Sequence, residues 1–223
     1  MEVLRIRSLT FGRVLVPILL VAALAVIVTG CGSDDSSTEL NGITRVPPAK
    51  TGNLSLPDYS PQSGGKKVAV RGNEDGLMLV YFGYTSCPDV CPTTLADLRN
   101  ALAELDPAQR ERVQVSMVTV DPDRDTGRVL NGYLAHFFEP GEYHSLRTTD
   151  QALLNRADEA FGASHKLGKP DADGNYDVSH TALLYAVDPK GTVEVEWPFG
   201  TDADVIADDL KTLLDNNSQN PDA

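Results

Sequence analysis

The sequence predicts an α/β fold in which helices flank a central mixed sheet. Apolar runs rich in β-branched residues alternate with segments whose apolar residues recur at helical spacing. The elements begin in the order strand, helix, strand, helix, which implies a parallel strand pair with a right-handed crossover. The chain has 223 residues, of which 41% are apolar, so it can bury a core.

The first four elements supply the parallel pair. Residues 77–82 are apolar throughout, as expected for a strand that is buried on both faces. A helix is expected over 92–105, where Pro92 suits the first turn and leucines follow at helical spacing. Residues 113–120 are rich in β-branched residues and predict a second buried strand. Residues 126–138 carry one apolar stripe and predict a second helix.

A third helix and a long loop follow. Asp150 is suited to cap a helix whose inward-facing residues extend to Phe161. Residues 162–178 are polar and rich in Gly and Asp, which predicts a surface loop. We expect this loop to deliver the residues that follow it to one edge of the fold.

The last elements are a hairpin and a helix. Strands are expected over 181–187 and 192–197, joined by a type I turn at 188–191 in which Pro stands second and Gly fourth. A closing helix over 204–214 has its apolar residues on one side and covers the sheet. The whole order, βαβα, then α, then ββα, predicts a thioredoxin-like fold.

The N-terminus has the pattern of a signal peptide over residues 1–30. Three arginines precede an apolar run at 14–28, which is shorter than the roughly 20 residues of a membrane span. Residues 28–31 resemble a bacterial lipobox, which implies lipid attachment at Cys31. The alternative is an uncleaved membrane anchor. In both cases the basic end stays inside, so the folded part is expected at the cell membrane on its extracytoplasmic side.

Composition shifts divide the rest of the chain. Residues 31–52 are rich in polar residues and contain two adjacent prolines, which predicts a lipidated, flexible tether. The folded domain is expected over 53–215, and residues 216–223 are expected to form a disordered tail. The net charge of −13 speaks against nucleic acid as a partner, because phosphate binding needs clustered Lys and Arg.

Cys87 and Cys91 are the only cysteines besides Cys31. They stand where the first predicted strand gives way to a helix, which is where ligands bind in open α/β sheets. Residues four apart on a helical turn lie about 5–6 Å apart, so the two sulfurs can hold one metal ion or close a disulfide. The helix N-terminus also favours thiolate. The pair is therefore a permanent disulfide, a redox couple or a soft-metal site, and the short loop disfavours the first.

His180 is the histidine best placed to join the cysteines. It comes just before the strand that the predicted topology sets beside the cysteine-bearing strand. By contrast, His136 lies on a predicted helix, and His144 and His165 lie in predicted loops without an evident partner. The sequence therefore predicts a site of two sulfurs and one imidazole nitrogen.

The ligand set favours copper over zinc. Thiolates favour Cu(I), and imidazole suits both copper oxidation states. Zinc normally takes four ligands, or three and a water molecule, and the sequence offers no obvious fourth protein ligand. Zinc remains the alternative.

Three segments resemble sequence blocks of the Sco/SenC copper chaperones, in family order. They are residues 81–92 around the cysteines, 120–126 after the second strand and 176–181 around the histidine. The resemblance extends over about residues 53–215. Ser179 differs from the family pattern, which often has Asp at that position.

The resemblance implies a function as well as a fold. It implies a thioredoxin-like domain that binds copper, as Cu(I) or Cu(II), through Cys87, Cys91 and His180. It also implies delivery of that copper to the binuclear copper site of cytochrome c oxidase subunit II, or reduction of thiols there. Other copper chaperones are further candidate partners.

Two other functions would use the same cysteines but fit the sequence less well. A thiol–disulfide oxidoreductase would use Cys87 and Cys91 as its redox pair. Such enzymes usually have two residues between the cysteines, whereas three intervene here, and His180 with Thr181 occupies the place of their cis-proline. A peroxidase would need an activated cysteine near Thr and Arg, and the sequence shows no such group. We further expect a Cys87–Cys91 disulfide in the metal-free, oxidised protein.

Asp121, Asp123 and Asp125 form a charged run after the second predicted strand. We expect a loop and a helix cap from them. Docking of a partner is the alternative role.

Overall fold

The computed structural model describes residues 39–219. The predicted signal peptide, the lipidation site Cys31 and residues 32–38 and 220–223 lie outside the described residues. Among residues 39–219, no helix is long and apolar enough to cross a membrane. The elements of this part are β1 Ser55–Asp58, β2 Lys66–Ala69, β3 Leu77–Gly83, α1 Val90–Ala103, α2 Pro107–Glu111, β4 Val113–Thr119, α3 Gly127–Leu134, β5 Tyr143–Leu146, α4 Gln151–Phe161, β6 His165–Leu167, β7 Val178–His180, β8 Leu183–Val187, β9 Val193–Pro198 and α5 Ala203–Gln219.

A mixed seven-stranded sheet forms the centre, in the order β2-β1-β5-β4-β3-β8-β9. Strand β3 pairs in parallel with β4, and β4 pairs in parallel with β5. Strand β8 runs antiparallel to both β3 and β9. All seven residues of β3 are buried, because elements cover both faces of the sheet. The predicted mixed sheet with flanking helices is confirmed.

Several element bounds differ from the prediction. Helix α1 begins at Val90, two residues before Pro92, so Cys91 lies in its first turn. Helix α3 ends at Leu134. The backbone N–H of Phe137 donates to the carbonyl of Leu134, which forms a turn in place of a further helical turn. Sequence patterns did not indicate β1, β2, β5 and α2. These elements have four or five residues each, too few for a periodic signal.

The predicted loop at 162–178 is partly wrong. Its ends form a hairpin in which β6 pairs antiparallel with β7, as a two-stranded sheet of its own. The strand predicted over 181–187 accordingly begins at Leu183, and His180 ends the hairpin. Residues 166 and 179 are Lys and Ser, so the pairing carries no apolar alternation that the sequence could display.

The predicted tether is also partly wrong, since residues 39–52 are attached to the sheet. The backbone N–H of Ile43 donates to the carbonyl of Glu196 at 2.8 Å, and Lys50 bridges to Thr192. These bonds pair the segment with the outer edge of β9. At the other end, residues 216–219 continue helix α5 rather than starting a tail.

Asp209 fastens this N-terminal segment to the domain. Its buried carboxylate accepts hydrogen bonds from the Asn41 backbone, the Asn41 side chain, the Gly42 backbone and the Trp197 indole, at 2.7–2.9 Å. One side chain on α5 therefore joins three parts of the chain.

We expect Asp209→Ala to lower the free energy of unfolding by about 3 kcal/mol, because it leaves buried donors without an acceptor. Urea unfolding measures this change. The neighbouring Asp208→Ala is the control: Asp208 is exposed and pairs only with Lys211, so its loss should cost less than about 0.5 kcal/mol. Equal losses in both variants would contradict the role given to Asp209.

Candidate metal centre

The two cysteines lie at the junction of β3 and α1. Helix α1 has Asp89 at its cap position, but the Asp89 side chain makes no capping hydrogen bond. Instead, the backbone N–H of Cys91 donates to the sulfur of Cys87 at 3.3 Å. The Cys87 sulfur thus satisfies a helix N–H that has no partner within the helix, which favours negative charge on that sulfur.

The two thiols have opposite pKa shifts. Burial alone would raise the pKa of Cys87, but hydrogen bonds from the backbone N–H groups of Cys91 and Asp89 outweigh it and lower that pKa. Cys91 is fully buried, and burial is the main cause that raises its pKa to about 12. Cys87 is therefore the more acidic thiol, and at 9% exposure it is also the more accessible one.

His180 reaches the cysteines from the end of β7. Its Nε2 lies 3.5 Å from the sulfur of Cys91. Its Nδ1 donates to the carbonyl oxygen of Thr181 at 3.0 Å, which fixes the tautomer that leaves the Nε2 lone pair free. Burial is the main cause that lowers the pKa of His180, and a lower pKa keeps the imidazole neutral.

Two tyrosine rings hold the imidazole from the sides. Tyr81 and Tyr84 meet the His180 ring edge to face, with ring centroids 6.0 and 5.8 Å away. Burial is the main cause that raises the Tyr84 pKa to about 12, so its phenol stays neutral. The imidazole therefore stands beside two aromatic rings and has little freedom to rotate.

The ligand atoms of Cys87, Cys91 and His180 all lie within 4.8 Å of one another. Metal–sulfur bonds of about 2.3 Å and metal–nitrogen bonds of about 2.0 Å place three ligands about 3.5–4 Å apart, so a small closure would suffice. No other group of this kind occurs in residues 39–219. The structure thus brings together the three predicted residues. Both cysteines are free thiols here, and the expected disulfide stays a prediction.

A buried carboxylate shapes the loop before Cys87. Asp125 accepts hydrogen bonds from the backbone N–H of Thr85 at 3.0 Å and from the hydroxyls of Thr85 and Thr119 at 2.6 Å. It therefore ties the cysteine loop to the end of β4. The helix cap expected from the aspartate run is provided by Thr126 instead.

Asp121 and Arg124 connect the same region to the segment before β7. Asp121 is buried, pairs with Arg124 and accepts a hydrogen bond from the Tyr176 hydroxyl at 2.7 Å. The Arg124 guanidinium lies over the Tyr176 ring, 4.0 Å from its centroid, and 5.7 Å from that of Tyr84. Sequence reasoning missed these positioning contacts, because they join distant segments without a periodic pattern.

The other histidines have partners that the sequence did not indicate. His144 lies in β5, with its Nδ1 2.8 Å from a carboxylate oxygen of Asp58 in β1. His165 lies in β6, with its Nδ1 2.6 Å from a carboxylate oxygen of Asp158. The prediction that both stand in loops without partners is wrong. His136 lies in the turn that follows α3 and is exposed.

Fold and site together define a class of protein. It is a thioredoxin-like α/β protein in which a histidine from a separate hairpin completes a pair of cysteines.

Residues 61–215 match the family model SCO1/SenC, and this chain belongs to that family. Apo Sco1 from Thermus thermophilus shares 32% identity with it at a TM-score of 0.66, covering 78% of this chain and 97% of that one. Copper-bound ScoI from Bradyrhizobium japonicum shares 31% at a TM-score of 0.60, covering 73% and 98%. The predicted thioredoxin-like fold is confirmed.

Curated relatives match over a shorter stretch. A SCO2-like protein from Rickettsia felis is 34% identical over 122 residues, which are 55% of this chain and 57% of that protein. In three such relatives, the matched region spans 55–66% of the relative's length. The chain therefore spans less than two thirds of the length of these relatives.

The two thiols should react with iodoacetamide at different rates in the reduced, metal-free protein. Because the thiolate is the nucleophile, the Cys87 rate should level off at a lower pH than for an ordinary thiol. The Cys91 rate should be slower and keep rising to strongly alkaline pH. Peptide mass spectrometry after timed alkylation from pH 5 to 10 measures both rates. Faster labelling of Cys91 at neutral pH would contradict the assignment.

Proposed function

We propose that this protein is an extracytoplasmic copper chaperone, which binds copper through Cys87, Cys91 and His180. The observation that supports this most directly is the 3.5 Å approach of the His180 Nε2 to the buried sulfur of Cys91. Membership of the SCO1/SenC family and the likeness to a copper-bound ScoI support copper as the cargo.

The three ligands have distinct tasks in copper capture. Cys87 offers the more acidic and more exposed sulfur, so it makes the first contact as thiolate. Cys91 gives up its proton to the solvent when copper binds, because only the thiolate is a ligand. His180 needs no proton transfer, since its Nε2 already carries a free lone pair. Two thiolates and one imidazole suit copper that is received and passed on.

We further propose that the acceptor is the binuclear copper site of cytochrome c oxidase subunit II. Involvement in assembly of this oxidase follows from the family, and the subunit is the part that our proposal adds. The predicted lipid on Cys31 would hold the domain on the extracytoplasmic face of the membrane, where that acceptor site would have to lie.

The thiol pair also supports a second function, a thiol–disulfide oxidoreductase. The pKa values of Cys87 and Cys91 are shifted in opposite directions, an asymmetry that suits attack by one thiol and resolution by the other. The Cys87 thiolate would attack a substrate disulfide and form a mixed disulfide. Cys91 would then displace the substrate, which leaves with two thiols while this protein becomes oxidised. The copper-site cysteines of subunit II are the proposed substrate.

Copper titration of the reduced protein should give one copper ion per chain. His180→Ala should weaken copper binding by more than about 100-fold, because loss of an outer-sphere partner alone costs 10–100-fold. Competition with a chromophoric Cu(I) chelator measures the affinity. His136→Ala is the matched control, since His136 is exposed and belongs to no ligand group among residues 39–219. Unchanged binding in His180→Ala would refute the ligand assignment.

The oxidoreductase function makes a separate prediction. Cys91→Ser should accumulate a mixed disulfide through Cys87 when mixed with a subunit II domain whose copper-site cysteines form a disulfide, since the resolving thiol is missing. Cys87→Ser should trap nothing. Non-reducing mass spectrometry detects the adduct. If the Cys91 variant forms no adduct while the wild type still binds copper, the oxidoreductase function is refuted and copper transfer is the function that stands.

A further inference from the structure

The strand that carries His180 is not part of the central sheet. Among residues 39–219, strand β7 pairs only with β6, and these two strands form their own small sheet. Three of the six residues in these two strands are exposed, and the other three, which include His165 and His180, are half-buried. Backbone pairing with β3 or β8 therefore does not hold His180 against Cys91, and contacts made by the hairpin itself contribute to its position.

One such contact lies directly beside His180. His165 and His180 stand opposite each other in the hairpin, and residues opposite each other in an antiparallel pair project from the same face. His165 does not face the cysteines as a ligand. Its Nδ1 lies 2.6 Å from an oxygen of Asp158 on α4.

The His165–Asp158 pair is shielded from water. The side chain of His165 is 8% exposed and that of Asp158 is 11% exposed. The other carboxylate oxygen of Asp158, Oδ1, is buried and accepts no hydrogen bond. His165 is thus the side-chain partner on which this carboxylate depends, and separating them would leave a carboxylate poorly solvated. This makes the pair a firm link between α4 and β6.

A short chain of contacts connects this link to the imidazole of His180. Ser164, the neighbour of His165, accepts a hydrogen bond from the Thr181 backbone at 2.9 Å and donates its own N–H to the Thr181 hydroxyl at 3.0 Å. The Thr181 carbonyl in turn accepts the Nδ1–H of His180. Fixing β6 therefore fixes the acceptor that sets the tautomer and direction of the His180 ring.

We propose that Asp158 and His165 are positioning residues for His180: their bond pins the hairpin to α4 and so keeps the His180 Nε2 aimed at the Cys91 sulfur. This inference rests on the proposed copper function for its consequence, but its structural part concerns the metal-free protein. It assigns a role in copper binding to two residues outside the Cys-Cys-His group.

The test compares two His–Asp pairs of the same fold. His165→Phe keeps the ring but removes the donor to Asp158, and His144→Phe does the same to the remote pair with Asp58. His165→Asn returns a donor near the position of Nδ1 and serves as the rescue variant. Asp158→Leu removes the acceptor from the other side of the pair and is used if His165→Phe does not fold.

Two measurements are made on each variant. Long-range ¹H–¹⁵N NMR of the reduced, metal-free protein reports which nitrogen of His180 carries the proton. Cu(I) competition with a chromophoric chelator reports affinity. We expect His165→Phe to lose the pure Nδ1–H form of His180 and to bind Cu(I) about three- to tenfold more weakly, below the 10–100-fold typical of direct outer-sphere partners. His165→Asn should restore both values, and His144→Phe should leave both unchanged.

The outcomes separate this inference from the proposed function. An unchanged His180 tautomer and unchanged Cu(I) affinity in His165→Phe and Asp158→Leu would overturn the positioning role. Equal changes in His144→Phe would overturn it as well, since the effect would then be one of general stability. If wild-type protein fails to bind Cu(I) while the His180 tautomer still changes in His165→Phe, the copper function fails and the positioning role stands.

Discussion

The site depends on one contact between distant parts of the chain, the approach of the His180 imidazole to the Cys91 sulfur. Cys91 is fixed by the first turn of α1, at the end of the most buried strand of the sheet. His180 lies on a hairpin outside that sheet, which is held by its own backbone pairing and by side-chain contacts. The end of a central strand and a separate hairpin therefore meet at this Cys-Cys-His group.

The central elements could be predicted because the pattern of their apolar residues shows which faces are buried. Strand β3 is an apolar run because both of its faces are buried. Helix α1 has leucines at helical spacing because only one of its faces is buried. The place of His180 beside the cysteines followed from strand order. Strand β1 was missed because Pro57 and Asp58 disfavour a strand, and tertiary pairing decides its conformation.

The supporting contacts could not be predicted for a different reason. Asp125 looked like a helix cap, but it accepts hydrogen bonds from Thr85, 40 residues away. His165 looked unpartnered, although Asp158 is only seven residues before it, because the turn at Gly162 reverses the chain between them. Hydrogen bonds of this kind depend on three-dimensional proximity, and a single sequence shows only which residue types are capable of them.

The attachment of residues 39–52 to the sheet edge limits how far the domain can reach. If Cys31 carries lipid, only the eight peptide units from there to residue 39 separate the bilayer from the folded body, about 25–30 Å even when fully stretched. This segment is shorter than the roughly 40 Å width of a domain of this size. A lipid on Cys31 would then keep this domain close to the membrane surface, and any partner would have to present its own site within that distance.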